Sequence, residues 1–275
     1  MKRSLENIAK THYENFPVGS IFIPKKYRTP IHYIYIFARI ADDFADEGEL
    51  STEERIAKLN AWETELVNAL LGESQNKFFI ELAKRIQADN LPPQLFKDLL
   101  TAFRWDANHI EYKSYNDVLQ YCKHSANPIG RLLLKIFHSE SNENNCLSDC
   151  ICTALQLTNF WQDISIDSKR NRFYIAQEDF ERFHVSKSDL LTEQNTNAVQ
   201  ELIQFQVERT RKLFDEGKPL LKKVHRDFRL ELSLIWHGGI RILEKIKQLN
   251  YDTRMHRPRL TMIDYFQIYL KARRT

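Results

Sequence analysis

Residues 30–47 read PIHYIYIFARIADDFADE, and on this stretch the fold assignment turns. Its apolar residues recur every three to four positions, the period of an α-helix and not the alternation of a strand. Gly48 follows, a residue suited to the left-handed turn that closes a helix. The chemistry of the segment is mixed. Asp42, Asp43, Asp46 and Glu47 are interleaved with Ala38, Ile40, Ala41, Phe44 and Ala45. A solvated acidic face has no use for those apolar neighbours, and a helix buried on all sides would not carry those acids.

Sorted by helical face, Tyr35, Arg39, Asp42 and Asp46 form one stripe, while Ile34, Phe37, Ile40 and Phe44 flank it and can pack into a core. Two readings stand for the stripe alone: a solvated face on which Arg39 pairs with Asp42 or Asp43, or a polar stripe directed into a pocket. A second segment favours the pocket. In ALQLTNFWQDISIDSKRNRFY (154–174), Asn159, Asp163 and Asp167 are four residues apart, with Gln156 upstream on nearly the same side. Leu155, Leu157, Phe160, Ile164 and Ile166 surround them. Facing helices of a bundle are where paired carboxylates build metal sites. The donors are all oxygens, with no His or Cys, so the expected ion is hard: Mg²⁺ rather than zinc or copper. Mg²⁺ completes its shell with water and phosphate oxygens. Together with Arg28, Arg39 and Arg172, the two stripes predict a diphosphate substrate, its charge cancelled by the metal and its oxygens gripped bidentately by arginines.

The rest of the chain is also helical in pattern. STEERIAKLNAWETELVNALLG (51–72) opens with Ser51 or Thr52 as N-cap, Glu54 completing a box with Ser51, and closes on Gly72. Further helices are expected at 75–88, 92–108, 115–138, 147–165, 195–216, 218–249 and 259–272. The one strand candidate, RFYIA (172–176), is too short to build on. HSESNENNC (138–146) reads as a surface loop, and 165–197 as an irregular region. No repeat, low-complexity segment or composition shift divides the chain, so a single all-α domain over residues 1–275 is expected.

Composition excludes several classes. Hydrophobic residues make up 43%, a globular value. Seven Gly and eight Pro leave little for turn-rich β architecture or a Gly-rich phosphate loop. A net charge of +3 from 40 basic and 37 acidic residues is too balanced for a nucleic-acid binder. The opening MKRSLENIAKTHYENF has no apolar signal core, and no run is long enough to span a bilayer. Cys122, Cys146, Cys150 and Cys152 match no common zinc spacing and are expected to be reduced thiols of a cytoplasmic chain.

Four motifs in order resemble the squalene/phytoene synthase family of head-to-head prenyl synthases. YIFARIADDFAD (35–46) matches its first Asp-rich motif and QLTNFWQDISIDSKRNRFY (156–174) its second. YCKHSANPIG (121–130) matches a Tyr-Cys element, and NFPVGSIFIP (15–24) places Phe16 in an aromatic position, with Arg28 four residues after Pro24. The resemblance covers about residues 10–270 and implies the all-α isoprenoid (terpenoid) synthase helical bundle with a central cavity. Within the family the wording is most similar to bacterial hydroxysqualene synthases of hopanoid pathways. There a sister enzyme supplies presqualene diphosphate and a flavin-dependent reductase completes squalene.

Carried over, the resemblance implies Asp42 and Asp46 as Mg²⁺ ligands from one side and Asn159, Asp163 and Asp167 from the other. It implies Arg28, Arg39 and Arg172 on the diphosphate, Tyr174 supporting that end, and Phe16, Tyr35 and Tyr121 bordering the reacting carbons. Asp43 and Glu47 stay unassigned. Aromatic faces stabilise a cyclopropylcarbinyl cation without acting as nucleophiles; Tyr35, Asn159 and Gln162 are equal candidates for positioning the capturing water. Rival outcomes are presqualene diphosphate, squalene, dehydrosqualene or phytoene synthesis, or a non-catalytic scaffold. There are two departures: Gln162 stands where most relatives carry Arg, and Ala176 where they carry Pro. Losing a fixed cation at 162 suits an enzyme that processes one diphosphate. The basic, amphipathic C-terminus, RMHRPRLTMIDYFQIYLKARR, has two readings: a docked terminal helix with a solvated basic face, or a peripheral membrane contact.

Overall fold

A computed structural model describes residues 22–192 and 196–275, and no strand occurs among the described residues. Phe16 and most of the NFPVGSIFIP motif lie outside them. The first described helix, α1 (Lys25–Asp46), begins earlier than its sequence pattern and carries Pro30 inside it. Pro30 forgoes a single backbone bond to the Lys26 carbonyl, and its ring is buried in the core. At the other end Glu47 turns extended (φ −99°, ψ 152°) and Gly48 adopts φ +77°.

That C-terminus is electrostatically awkward. Asp42, Asp43 and Asp46 crowd the negative end of the helix dipole, and its last turn holds no basic residue. Part of the answer comes from α2 (Thr52–Leu71), whose Arg55 donates to the carbonyls of Phe44 at 3.2 Å, Glu47 at 3.1 Å and Gly48 at 2.7 Å. The predicted Ser51–Glu54 capping box is present, and Gly72 closes α2 at φ +81°. α3 (Lys77–Ala88) and α4 (Pro93–Ala107) follow near their expected bounds. Phe37 of α1 is fully buried against Trp62, Phe79 and Phe96, with ring centroids 6.0, 6.3 and 5.2 Å away. Burying one such ring contributes about 1.5–3 kcal/mol, and this holds α1 while its acidic stripe stays outside the core.

Four sequence expectations need correction. The helix at 115–138 is two, α5 (Tyr115–Ser125) and α6 (Asn127–Ile136), because Pro128 lacks the donor to continue and its ring would clash with the His124 carbonyl. The 138–146 stretch is a loop only at its start. Ser141 caps α7 (Asn142–Gln162) by accepting from the Asn144 amide at 3.1 Å, so the polar residues form a first turn, with Asn142 and Glu143 exposed and Asn144 buried. The helix at 147–165 stops at Gln162: Asp163 (φ −103°, ψ 12°) interrupts it before the short α8 (Ile164–Asp167) and a 3₁₀ turn at Ser168–Arg170. The 165–197 region therefore holds α8, that turn, α9 (Gln177–Arg182) and a further 3₁₀ turn at Lys187–Leu191. Finally, 218–249 is divided into α11 (Leu220–Lys223) and α12 (Arg226–Gln248), because His225 caps the second by accepting from the Asp227 amide at 3.2 Å.

Between these lies α10 (Asn197–Gly217), packed along α7, with Trp161 donating to Thr210 Oγ1 at 2.8 Å. α12 crosses α10, its Trp236 donating to the Phe214 carbonyl at 2.8 Å. α13 (Met262–Ala272) closes the chain behind a Thr261–Asp264 capping box. The acids of α1 and those after α7 thus both sit at helix C-terminal ends, and the bundle brings the two ends together.

Candidate active site

The join between the two stripes is Arg172. Its guanidinium donates to both oxygens of Asp46, each at 2.7 Å, across 126 residues of sequence. A bidentate pair of this kind is charge-assisted and geometrically specific. On α1 itself Arg39 contacts Asp42 at 3.2 Å, Asp43 at 2.7 Å and Glu47 at 2.8 Å. Asp43 and Glu47, unassigned from sequence, therefore belong to the arginine's grip. On the other side Asp163 pairs with Arg257 through the Nε bond and a second at 3.2 Å.

The remaining carboxylates feel each other. Burial and the charge of Asp46 push Asp42 up to about 7, with Arg39 and Arg172 pulling the other way. Burial and Asp163 push Asp167 up to about 7, against Arg172 and Arg170. Asp106 of α4 joins them: burial, then Asp46 and Asp42, raise its pKa well above the ordinary carboxylate value. Arginines do not neutralise this concentration of acid, placed at the negative ends of two helices.

Among the described residues no three carboxylates, imidazoles or thiolates converge closely enough to hold a metal together. Asp46 and Asp163 are instead occupied by arginines. The donor set nevertheless fits Mg²⁺: all oxygen, under-neutralised, and divided between two facing elements. Asn159 is half-buried, and its side chain makes no hydrogen bond among the described residues.

Beside the acids lies an aromatic wall. Tyr174 stacks on Phe160 at 3.7 Å with an interplanar angle of 2°, while Tyr121 and Tyr112 lie 5.9 and 6.1 Å from Tyr174. Tyr121 donates to Asp106 Oδ2 at 2.9 Å. Burial raises the pKa of Tyr121, Tyr174 and Tyr112, so all three remain neutral phenols at physiological pH. Tyr35 is half-buried, its pKa raised first by burial and lowered by Arg39.

The structure therefore brings together Arg39, Asp42, Asp46, Asp163, Asp167, Arg172, Tyr121 and Tyr174. Arg28 is not brought next to the carboxylates. It donates to the Ile23 carbonyl at 2.7 Å, and the rise of α1 sets it about 21 Å along the helix from Asp42. Gln162 is buried and donates to the Pro258 carbonyl at 2.7 Å. It anchors the segment that carries Arg257, so a cation reaches Asp163 from the far end of the chain rather than from position 162. Sequence reading missed Asp106, Tyr112 and Arg257. Asp106 belongs to no acidic stripe, its nearest acid in the helix being Asp98 two turns away, and nothing local in MHRPR points to Asp163.

A family model described as squalene/phytoene synthase matches residues 9–264. The hydroxysqualene synthase of Rhodopseudomonas palustris is 34% identical over 86% of this chain and 81% of that protein. The hydroxysqualene synthase of Sinorhizobium fredii is 32% identical over 85% and 80%, and the 15-cis-phytoene synthase of Synechococcus elongatus 27% identical over 89% and 83%. Among solved structures, the squalene synthase HpnC of Alicyclobacillus acidocaldarius superposes with a TM-score of 0.84 at 36% identity, over 90% of this chain and 94% of that one. A dehydrosqualene synthase solved with a ligand gives 0.87 at 21% identity, a likeness of fold alone, over 99% and 95%.

Proposed function

The chain belongs to the squalene/phytoene synthase family, and from that premise we propose that it converts presqualene diphosphate and water into hydroxysqualene and diphosphate, its residues 1–275 acting as one catalytic domain. The observation that carries the reading is the bidentate Arg172–Asp46 pair, which ties the two acidic stripes into one site. The hydroxysqualene synthases among its relatives support the choice of reaction.

Mg²⁺ would be held by Asp42 and Asp46 from one side and by Asn159, Asp163 and Asp167 from the other; when bound, it neutralises charge on the leaving diphosphate. Arg39, Arg172 and Arg257 already face these carboxylates and can turn their donors onto diphosphate oxygens. The C–O bond breaks with its electron pair leaving on the diphosphate. The Tyr174–Phe160 stack, with Tyr121 and Tyr112, presents π-faces to the resulting cyclopropylcarbinyl cation, each worth about 0.5–2 kcal/mol. The tyrosines as neutral phenols, and Phe160 with no hydroxyl, stabilise the cation without trapping it. The cation rearranges, opening its ring, and water forms the new C–O bond; the departing diphosphate takes up the proton released. Tyr35, Asn159 and Gln162 are the candidates to position that water, Gln162 with one N–H already donated to the Pro258 carbonyl. A presqualene diphosphate synthase must supply the substrate, and a flavin-dependent reductase would consume the product.

Purified protein with Mg²⁺ and presqualene diphosphate, without NADPH, is expected to release hydroxysqualene. Farnesyl diphosphate condensed to presqualene diphosphate as the main activity would overturn the assignment. Asp46→Ala and Asp163→Ala should each lower turnover by at least about 100-fold with the helical circular-dichroism spectrum unchanged. Activity retained in both would remove the stripes from the metal site. A second reading, a squalene- or phytoene-forming synthase, rests on relatives that bear those names; NADPH-dependent squalene, or phytoene from geranylgeranyl diphosphate, would favour it.

A further inference from the structure

α13 is apolar on its outward face as well as its inward one. Its buried stripe is Asp264, Ile268 and Ala272, four residues apart. The opposite, outward face carries Met262 at 81% exposure, Ile263 at 69%, Phe266 at 63% and Leu270 at 41%, with Tyr265 at 56% on its shoulder. Exposed Phe22 stacks on Tyr269 at 5.8 Å, widening the patch. Most of the large apolar side chains exposed among the described residues gather at this one place. A helix at a water interface carries polar groups on that face, and a contiguous apolar patch marks a surface that meets something else.

Charge identifies the occupant. From residue 255 to 275 the sole acid is Asp264. It faces inward, held by Arg241 at 2.6 Å, Lys245 at 2.8 Å and the Thr261 amide at 2.7 Å. Burial opposes its ionisation, but the bonds from Lys245, Thr261 and Arg241 outweigh this and hold its pKa below the ordinary value. Arg259, Lys271, Arg273 and Arg274 are exposed, and none forms an ion pair among the described residues. Lys271 and Lys218 also lie near His237, where burial and these two cations lower its pKa. The rim of the patch is thus predominantly basic, and the one acid beside it, Glu244 of α12, is paired with Arg241 at 3.1 Å.

We propose that α13 and the segment before it lay the protein on an anionic phospholipid surface, with Met262, Ile263, Phe266 and Leu270 entering the headgroup boundary and the basic rim resting on lipid phosphates. No described helix is long and apolar enough to cross a membrane, so the contact lies in the plane of the surface. A second copy of the chain fits less well: a two-fold contact through α13 would set one basic rim against another. The proposal stands independently of the reaction assigned above.

The test is co-sedimentation of the full chain with vesicles of phosphatidylcholine alone and of phosphatidylcholine mixed with phosphatidylglycerol. Binding to the mixed vesicles is expected, weakening as salt is raised. Ile263→Glu with Phe266→Glu should lower partitioning by at least about tenfold. Lys271→Gln with Arg273→Gln and Arg274→Gln should abolish the preference for phosphatidylglycerol. These side chains are exposed, so thermal melts should match wild type. No binding of wild type to the mixed vesicles, or equal binding by both variants, would overturn the proposal. So would a dimer in sedimentation velocity that Phe266→Glu dissociates while vesicle binding is absent.

Discussion

Tyr121 reaches Asp106 through one hydrogen bond of 2.9 Å, and that contact sets how its ring stands against the Tyr174–Phe160 stack. Tyr121 is fully buried, and Asp106 is the one described side chain that accepts from its hydroxyl. Asp106 is a positioning residue: it acts through the ring it holds. Asp106→Leu should therefore lower kcat by about tenfold or more with a smaller change in KM, because ring orientation matters most when positive charge develops. Asp106→Asn keeps an accepting oxygen and should restore most of the rate. In the Asp106→Leu background, Tyr121→Phe should cost little further, since the two act as a unit. Equal, additive losses in a kinetic double-mutant cycle would show that Asp106 acts elsewhere. At this scale the sequence was legible where a residue belonged to a stripe or motif, as with Asp46, Asp163 and Tyr121. It was illegible where the partner lies far along the chain, as with Asp106 for Tyr121 and Arg257 for Asp163.

α6 crosses α7 closely, and Gly130 permits it. A Cβ there would stand 2.4 Å from Ser148 Oγ and 2.5 Å from Cys152 Sγ, two short side chains with little room to retreat. Gly130→Ala should destabilise the protein by about 1–3 kcal/mol despite Ala's better helix propensity, read as a lowered midpoint in urea. A midpoint at or above wild type would mean that the helices separate at no cost. Helix existence was readable throughout from apolar spacing, and the Ser51–Glu54 box and Gly72 fixed both ends of α2 as expected. The breaks were harder. Pro128 was a visible signal inside a periodic pattern, and Ser141 followed by polar residues was a start read as a loop. Asp163 carried no local mark of a kink: its backbone departs from the helix where Gln162 turns aside to Pro258 and Arg257 takes up the carboxylate.

Across the whole molecule, the site stores charge that the fold only partly balances. Asp42 and Asp167 are held near 7 against an ordinary 3.8, so between those values the native metal-free protein binds protons that the unfolded chain has released. Stability must then fall as pH rises through that window. Asp117, Asp189, Asp227 and Asp264 have lowered values, so their stabilising contribution is complete once pH exceeds the ordinary carboxylate range. His237, kept neutral mainly by burial, works against the trend below 6.5, but it is one group facing three raised carboxyls that include Asp106. The melting temperature of the metal-free protein should therefore decline between pH 5.5 and pH 8, with each kcal/mol lost lowering it by about 2–4 °C. Under the proposed function Mg²⁺ with inorganic diphosphate would bind the ionised site and only the native state, so its stabilisation should be larger at pH 8 than at pH 6. Asp42→Asn with Asp167→Asn should flatten the metal-free profile and remove the gain from Mg²⁺ and diphosphate together. A metal-free melting temperature that climbs from pH 6 to pH 8, or a gain equal at both, would mean that the two stripes do not form the charge cluster on which the proposed ionisation of a diphosphate rests.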